Sequence, residues 1–228
     1  MRPIWSGGER ALTRIIAGVA GGRTIKVPPL GTRPTSDRVR EAVFSLVESR
    51  IGGSWDGLVV ADLYAGSGAF ALESLSRGAA RAVAVDSAPA AARAAQANGV
   101  ALGLGAGLTV LRRKVERALA NSELSRLGPF GLVFLDPPYG LSGAAVAAVL
   151  DLLACGGTAS GGLPAPEATR PESAVAPPAG RRPGGLLTEG ALILLERSTR
   201  GGGPRWPAGW EALGERIYGE TAIHLARA

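Results

Sequence analysis

The chain has 228 residues, 46% of them hydrophobic, with a net charge of +6 and a pI near 10.4. That length suits one α/β domain with a small appendage, and the basic balance favours an acidic partner, nucleic acid first. One cysteine (Cys155) and one histidine (His224) exclude an internal disulfide and a Cys-based zinc site and argue against His-ligand clusters, so no metal centre is expected.

No run approaches the ~18 apolar residues of a membrane span, and the opening residues lack the apolar core of a signal peptide. The expected compartment is therefore cytoplasmic, with no membrane partner.

Residues 1–11 read as a flexible leader. Residues 13–18 and 23–27 read as two short strands joined through Gly21-Gly22, a hairpin. Ser36 is the expected N-cap of a helix. Its apolar stripe is Val39, Val43, Phe44 and Val47, and Gly52-Gly53 closes it. Residues 12–53 thus form a small hairpin-and-helix extension. Residues 1–50 carry nine Arg or Lys against four acids, most of the chain's excess charge. Arg14, Arg23, Lys26, Arg38 and Arg40 are the expected grips on RNA phosphates, a contact that salt weakens.

From residue 54 a strand–helix alternation begins. Expected strands are 58–64, 81–86, 108–112, 132–136 and 191–196. Helices 69–77, 89–98, 115–121 and 144–153 follow the first four. Such alternation implies a doubly wound, mostly parallel sheet. Residues 215–218 and 221–226, split by Gly219-Glu220, read as a C-terminal antiparallel hairpin. Residues 156–185 are Gly-, Pro- and Ala-rich with almost no large apolar side chain. They cannot offset their ordering entropy by burial, so a disordered insertion is expected in the 54–228 domain. Trp206 and Trp210 are expected to cover a sheet edge.

Asp62-Leu63-Tyr64-Ala65-Gly66-Ser67-Gly68 ends the first strand of the alternation and enters its helix. Glycines there let the backbone turn sharply and approach a ligand closely. Gly66-x-Gly68-x-x-Ala71 also fits a dinucleotide fingerprint, so the loop alone leaves S-adenosylmethionine and NAD both open. Asp86, ending the next strand, is placed to grip ribose hydroxyls. Asp62 favours the methyl donor, because a carboxylate can face its α-amino group but repels a pyrophosphate.

Asp136-Pro137-Pro138-Tyr139 decides between them. It follows the apolar run 131–135, at the strand end where open α/β sheets bind ligands. Asp136 can accept one N–H of an exocyclic amine, the Pro137 carbonyl can accept the other, and Tyr139 can stack on the ring. Pro138 stands with them as a candidate catalytic residue. Hydride transfer has no use for this group of residues, whereas methylation of a nucleobase amine does.

The combination of Asp62–Gly68 with Asp136–Tyr139 resembles the class I (Rossmann-like) amino-methyltransferases. The segment Thr32-Arg33-Pro34-Thr35-Ser36-Asp37-Arg38-Val39-Arg40-Glu41 is similar to one typical of RsmD-type enzymes. So are Leu63–Gly68 and Ile217-Tyr218-Gly219-Glu220-Thr221. The resemblance implies methylation of N2 of guanine 966 in 16S ribosomal RNA, with S-adenosyl-L-methionine as donor and S-adenosylhomocysteine as product. It also implies that Arg33 and Thr35 border the donor pocket beside Asp62, Tyr64, Ala65, Gly66, Ser67, Gly68 and Asp86. The acid that often binds the donor's adenine is replaced by Arg113-Lys114-Val115, so backbone and apolar contacts near Val115 are expected instead. The expected substrate is an assembled or assembling 30S particle, and the expected state is a monomer. Competing readings are an adenine-N6 methyltransferase acting on DNA or RNA, a non-catalytic RNA-binding protein on the same scaffold, and, more distantly, an NAD oxidoreductase.

Overall fold

The fold rests on a computed structural model that describes residues 12–28, 36–156 and 185–228. The expected leader 1–11, the segment bearing Arg33 and Thr35, and nearly all of the expected insertion lie outside the described residues.

Strands β1 (Leu12–Arg14) and β2 (Thr24–Lys26) pair antiparallel. Helix α1 (Asp37–Arg50) follows, with the Ser36 hydroxyl accepting the Val39 amide as its cap. The alternation then runs β3 (Val59–Leu63), α2 (Ala69–Ser76), β4 (Arg81–Asp86), α3 (Pro89–Leu102), β5 (Leu108–Arg112), α4 (Val115–Ala120), α5 (Ser122–Leu127), β6 (Phe130–Leu135) and α6 (Gly143–Ala154). It closes with β7 (Leu187–Ser198), β8 (Glu211–Tyr218) and β9 (Thr221–Arg227).

These seven strands from β3 onward form one sheet in the order β5-β4-β3-β6-β7-β9-β8. The first five are parallel, and β9 inserts between β7 and β8, antiparallel to both. The order reverses between β3 and β6, a topological switch point where such sheets open a crevice at their C-terminal ends. Period-two alternation divides the sheet between two cores. Val60, Ala82, Phe134 and Leu194 face α1, α2 and the N-terminal hairpin. Leu63, Val85, Leu135 and Leu195 face α4 and α6. Trp206 and Trp210 lie tilted against one another, ring centroids 6.0 Å apart, and pack against this second core.

The hairpin is docked on α2. The Val19 amide donates to the Ser76 carbonyl at 2.8 Å, and the Ala20 amide to the Ser76 hydroxyl at 2.9 Å. Gly18 makes this approach possible: its φ is +78°, and a Cβ there would lie 1.8 Å from the Ser76 carbonyl oxygen.

Helix α3 runs past residue 98, its expected end. Asn98 is buried and turned to another use. Its side chain accepts the Lys26 amide at 2.9 Å and donates to the Lys26 and Ser67 carbonyls. The helix ends instead at Gly103, with φ +76°. The short α5 was not expected, and β7 and β8 each begin four residues earlier than their patterns suggest.

Candidate active site

Four neighbouring parallel strands each deliver a carboxylate at the C-terminal edge, on the face that carries α1 and α2. In spatial order they are Asp86 (β4), Asp62 (β3), Asp136 (just past β6) and Glu196 (β7). Register produces the row. Leu63 pairs with Val85 and Leu135, and Leu135 pairs with Leu195, so Asp136 and Glu196 follow one pair in step. Asp86 likewise follows Val85, whereas Asp62 is level with Ala84 and Phe134 and so sits two residues deeper than its neighbours in the row.

The loop between β3 and α2 is held by this row. Asp86 accepts the Gly66 amide at 2.9 Å and the Ala88 amide at 2.8 Å. The Ala65 amide donates to the Val85 carbonyl, and the Gly68 amide to the Ala65 carbonyl. Tyr64 has φ +66°, the left-handed region that non-glycine residues seldom occupy. Its hydroxyl donates to Glu116 at 3.2 Å. Burial, then the Glu116 charge, pushes the Tyr64 phenol above its usual range.

Asp62 is fully buried, and its Oδ2 accepts the Ala71 amide at 3.0 Å in the first turn of α2. Burial pushes its carboxyl up to about 7. The Ala71 amide works against that shift, and the charge of Asp86 adds to it. Burial also raises the Asp136 carboxyl well above the usual carboxylate range, helped by the charges of Glu196 and Asp62.

Two cavities open on either side of Asp136–Tyr139. The first, of about 260 Å³, lies between the β3–α2 loop and the end of β4. Tyr64, Ala65, Gly66, Ser67, Asp62 and Asp86 line it, as do Asp136 and Pro138. Ser87, Ala88, Ala90 and Ala91 add a small-residue wall, and Thr13 and Val27 come from the hairpin. The second, an open groove of about 830 Å³, is lined by Pro137 and Tyr139, the end of β7 from Glu196 to Ser198, and the β8–β9 turn. The motif therefore alternates, with Asp136 and Pro138 facing one cavity and Pro137 and Tyr139 the other. Tyr139 is 59% exposed at the groove.

Several expected residues take other places. Val115 is buried in the core between the sheet, α4 and α6, so it is not in the wall of the first cavity; the alanines after β4 stand there instead. Gly68 turns the loop into α2 and packs against Ala95. Arg40, expected on the RNA-facing surface, has a side chain only 2% exposed. It donates to the Arg14 carbonyl and to Asp37 and lines the first cavity, the one cation there among the described residues. Its Nε is buried without a hydrogen-bond partner. The Arg23 guanidinium is engaged by the Leu102 and Ala101 carbonyls at the end of α3, a helix C-terminus that favours a cation. Arg14, Lys26 and Arg38 are exposed, Arg14 near Asp37 at 3.6 Å. Glu196 was missed. Its signal is the one that marked Asp86, an acid ending an apolar parallel strand.

The first cavity suits a nucleoside bearing an amino-acid tail. It offers carboxylates at three strand ends, one buried cation with an orphaned N–H, and a small-residue wall between. The Gly66 Cβ direction meets nothing within 4 Å, so a ligand can approach that backbone closely.

Residues 13–160 match the family described as Conserved hypothetical protein 95. The chain is 31% identical over 216 residues to the ribosomal RNA small subunit methyltransferase D of Escherichia coli (strain K12), covering 93% of this chain and 88% of that protein. The solved structure of yhhF from Escherichia coli superposes with a TM-score of 0.69 at 28% identity, over 95% of this chain and 98% of that one. The Thermus thermophilus 16S rRNA N2 G1207 methyltransferase, solved with AdoMet and guanosine, shares the fold at a TM-score of 0.59 and 18% identity, over 99% of this chain and 52% of that one. The sheet order, the loop after β3 and these matches converge: the fold is that of the class I methyltransferases, and the chain belongs to the Conserved hypothetical protein 95 family.

Proposed function

We propose that this chain transfers a methyl group from S-adenosylmethionine to the exocyclic N2 amine of a guanine in small-subunit ribosomal RNA. The observation that carries the reading is the position of Asp136–Tyr139 between a nucleoside-sized cavity and an open groove. A donor in the first and a base entering from the second would meet at Asp136.

The first cavity's residues divide the work of holding the donor. Asp86 is suited to ribose hydroxyls, since each of its oxygens keeps a lone pair beyond the amide it accepts. Asp62 is suited to the α-amino group, and Arg40 to the carboxylate. Gly66 and Ser67 bring backbone close, and Ala88 and Ala91 offer apolar contact to a ring. Bound S-adenosylmethionine supplies a methyl group activated by its sulfonium.

Asp136 and the Pro137 carbonyl accept the two amine hydrogens and turn the nitrogen lone pair out of conjugation with the ring. Tyr139 stacks on the base, which must leave its own stack to reach the site. A C–N bond forms as the methyl–sulfur bond breaks. The surplus proton passes from N2 to Asp136 or to water. Burial already makes Asp136 a stronger proton acceptor than an ordinary carboxylate. Positioning and charge placement account for most of the acceleration.

Exposed Arg14, Lys26 and Arg38 supply phosphate contacts beside this edge. On the similarity of residues 32–41 and 217–221 to RsmD-type enzymes, the proposal extends to guanine 966, to a 30S particle as substrate and to a monomeric enzyme. Transfer of radiolabelled methyl to 30S particles, 16S RNA and DNA, with nucleoside analysis, tests it. N2-methylguanosine from the particle is the expected product. N6-methyladenine, or no label despite donor binding, overturns the assignment.

A further inference from the structure

We propose that Glu196 accepts the N1–H of the target base and thereby selects guanine over adenine. The inference rests on the methyl-transfer reading above and names the residue that sets its base specificity.

Three observations meet at this side chain. Glu196 is one register step beyond the Leu135–Leu195 pair, beside Asp136 and on the same face of the sheet. It is 6% exposed, yet it lines the groove shared with Pro137 and Tyr139. It also shares a small apolar cleft with Asp136, between Phe134 and Leu194. The row of strand ends therefore continues past Asp136, away from the donor cavity, into the groove through which a base would enter.

The edge of guanine matches this order. Its N2 amine and N1–H are adjacent donors, so a base with N2 at Asp136 can turn N1–H toward the next strand end. An ionised carboxylate accepts there with its strong, charge-assisted geometry. Adenine's N1 carries no hydrogen and presents a lone pair, which faces a buried carboxylate only at a cost. Burial first, and then the charge of Glu196, raises the Asp136 carboxyl, so the two neighbouring acids repel one another. Two adjacent N–H donors between them relieve that repulsion. Asp136 alone cannot separate guanine from adenine, because both bases offer it an exocyclic amine. Glu196 can.

The test uses 2-aminopurine, which keeps the amine at the guanine N2 position but has no hydrogen on N1. The target is first mapped as N2-methylguanosine in 30S particles; failure at that step would sink the methyl-transfer reading itself. Particles are then reconstituted on 16S RNA with guanine or 2-aminopurine at the mapped position. The wild-type protein is expected to prefer guanine by about 30-fold in kcat/KM, the effect of one hydrogen bond to a charged group. Glu196→Ala is expected to lose about that factor on guanine. On 2-aminopurine it should equal or exceed wild type, because no carboxylate then faces the N1 lone pair, so the preference collapses. Glu196→Gln, which keeps an acceptor oxygen, should retain part of the preference. Donor affinity by calorimetry should be unchanged in both variants. Equal wild-type rates on the two bases would overturn the proposal without any variant, as would a Glu196→Ala enzyme that still prefers guanine by the full factor.

Discussion

Glu73, wholly buried on α2, accepts the backbone amide of Ile16 at 2.6 Å with one carboxylate oxygen and that of Ala17 at 3.0 Å with the other. Arg77 neutralises it at 2.8 Å and reaches on to Glu48 of α1 at 2.6 Å. One carboxylate thus joins the N-terminal hairpin, α2 and, through Arg77, α1. The hairpin shares the core of the sheet, and its Thr13 and Val27 become walls of the first cavity.

Glu73→Ala removes the acceptor for two buried amides and strips Arg77 of a buried partner. A loss of about 3 kcal/mol is expected, the scale of breaking a buried pair from one side. Urea denaturation of the full chain measures it. Glu73→Gln, which keeps one acceptor oxygen, should lose less.

Asp136→Ala is expected to lower methyl transfer by about 10²- to 10³-fold, the usual cost of losing one transition-state contact. Donor affinity should change little. Calorimetry and single-turnover kinetics separate the two. Full transfer by a folded variant would remove Asp136 from the mechanism.

The Asp62 carboxyl, raised to about 7 from 3.8, makes a pH-dependent contribution with a definite sign. Its protonated form is favoured by the fold, so the stability it adds is complete below pH 3.8 and is lost as pH rises through 7. Asp62→Asn should flatten stability against pH in that window. Donor affinity should run the other way, rising between about pH 6 and 8 as Asp62 ionises to face the α-amino group. Calorimetric titrations of wild type and Asp62→Asn across that range test this, and an identical rise in both would exclude Asp62.

Gly68 holds φ +76° at the start of α2, and a Cβ there would lie 3.0 Å from the Ala95 Cβ. Gly68→Ala is expected to cost about 1–2 kcal/mol from the left-handed backbone alone. It should also weaken donor binding, because the β3–α2 loop would shift. Thermal denaturation with and without donor resolves the two effects.

Reversing charge at Arg14, Lys26 or Arg38 should weaken RNA binding. Each reversal should also reduce the salt slope by about 1, as for a lost phosphate contact. Arg23→Ala should act mainly on stability, because its guanidinium caps α3. Filter binding at several salt concentrations, set beside denaturation curves, checks both statements.

Much of this architecture was legible in the sequence. The bounds of β4 and β5 follow from their apolar runs and flanking turns, and the Ser36 cap from its side chain. Asp86 and Asp136 stand out because an acid ending a buried strand has few structural reasons to be there. These are local signals, set by periodicity and backbone chemistry within a few residues. The remainder depended on partners far along the chain. Residue 98 is the expected end of α3, and the use of the Asn98 side chain appears only once the Lys26 and Ser67 backbones engage it. Arg40 counts as surface charge until Asp37 and the Arg14 carbonyl bury it, and Arg23, still exposed, counts as a free cation until α3's carbonyls engage it. Glu196 ends an apolar run as Asp86 does, but its place beside Asp136 is fixed only by register. Composition and spacing determine which chemistry the chain carries. Which charges reach solvent, and which strand ends adjoin, are decided only when the sheet closes, because burial and pairing are properties of neighbours in space.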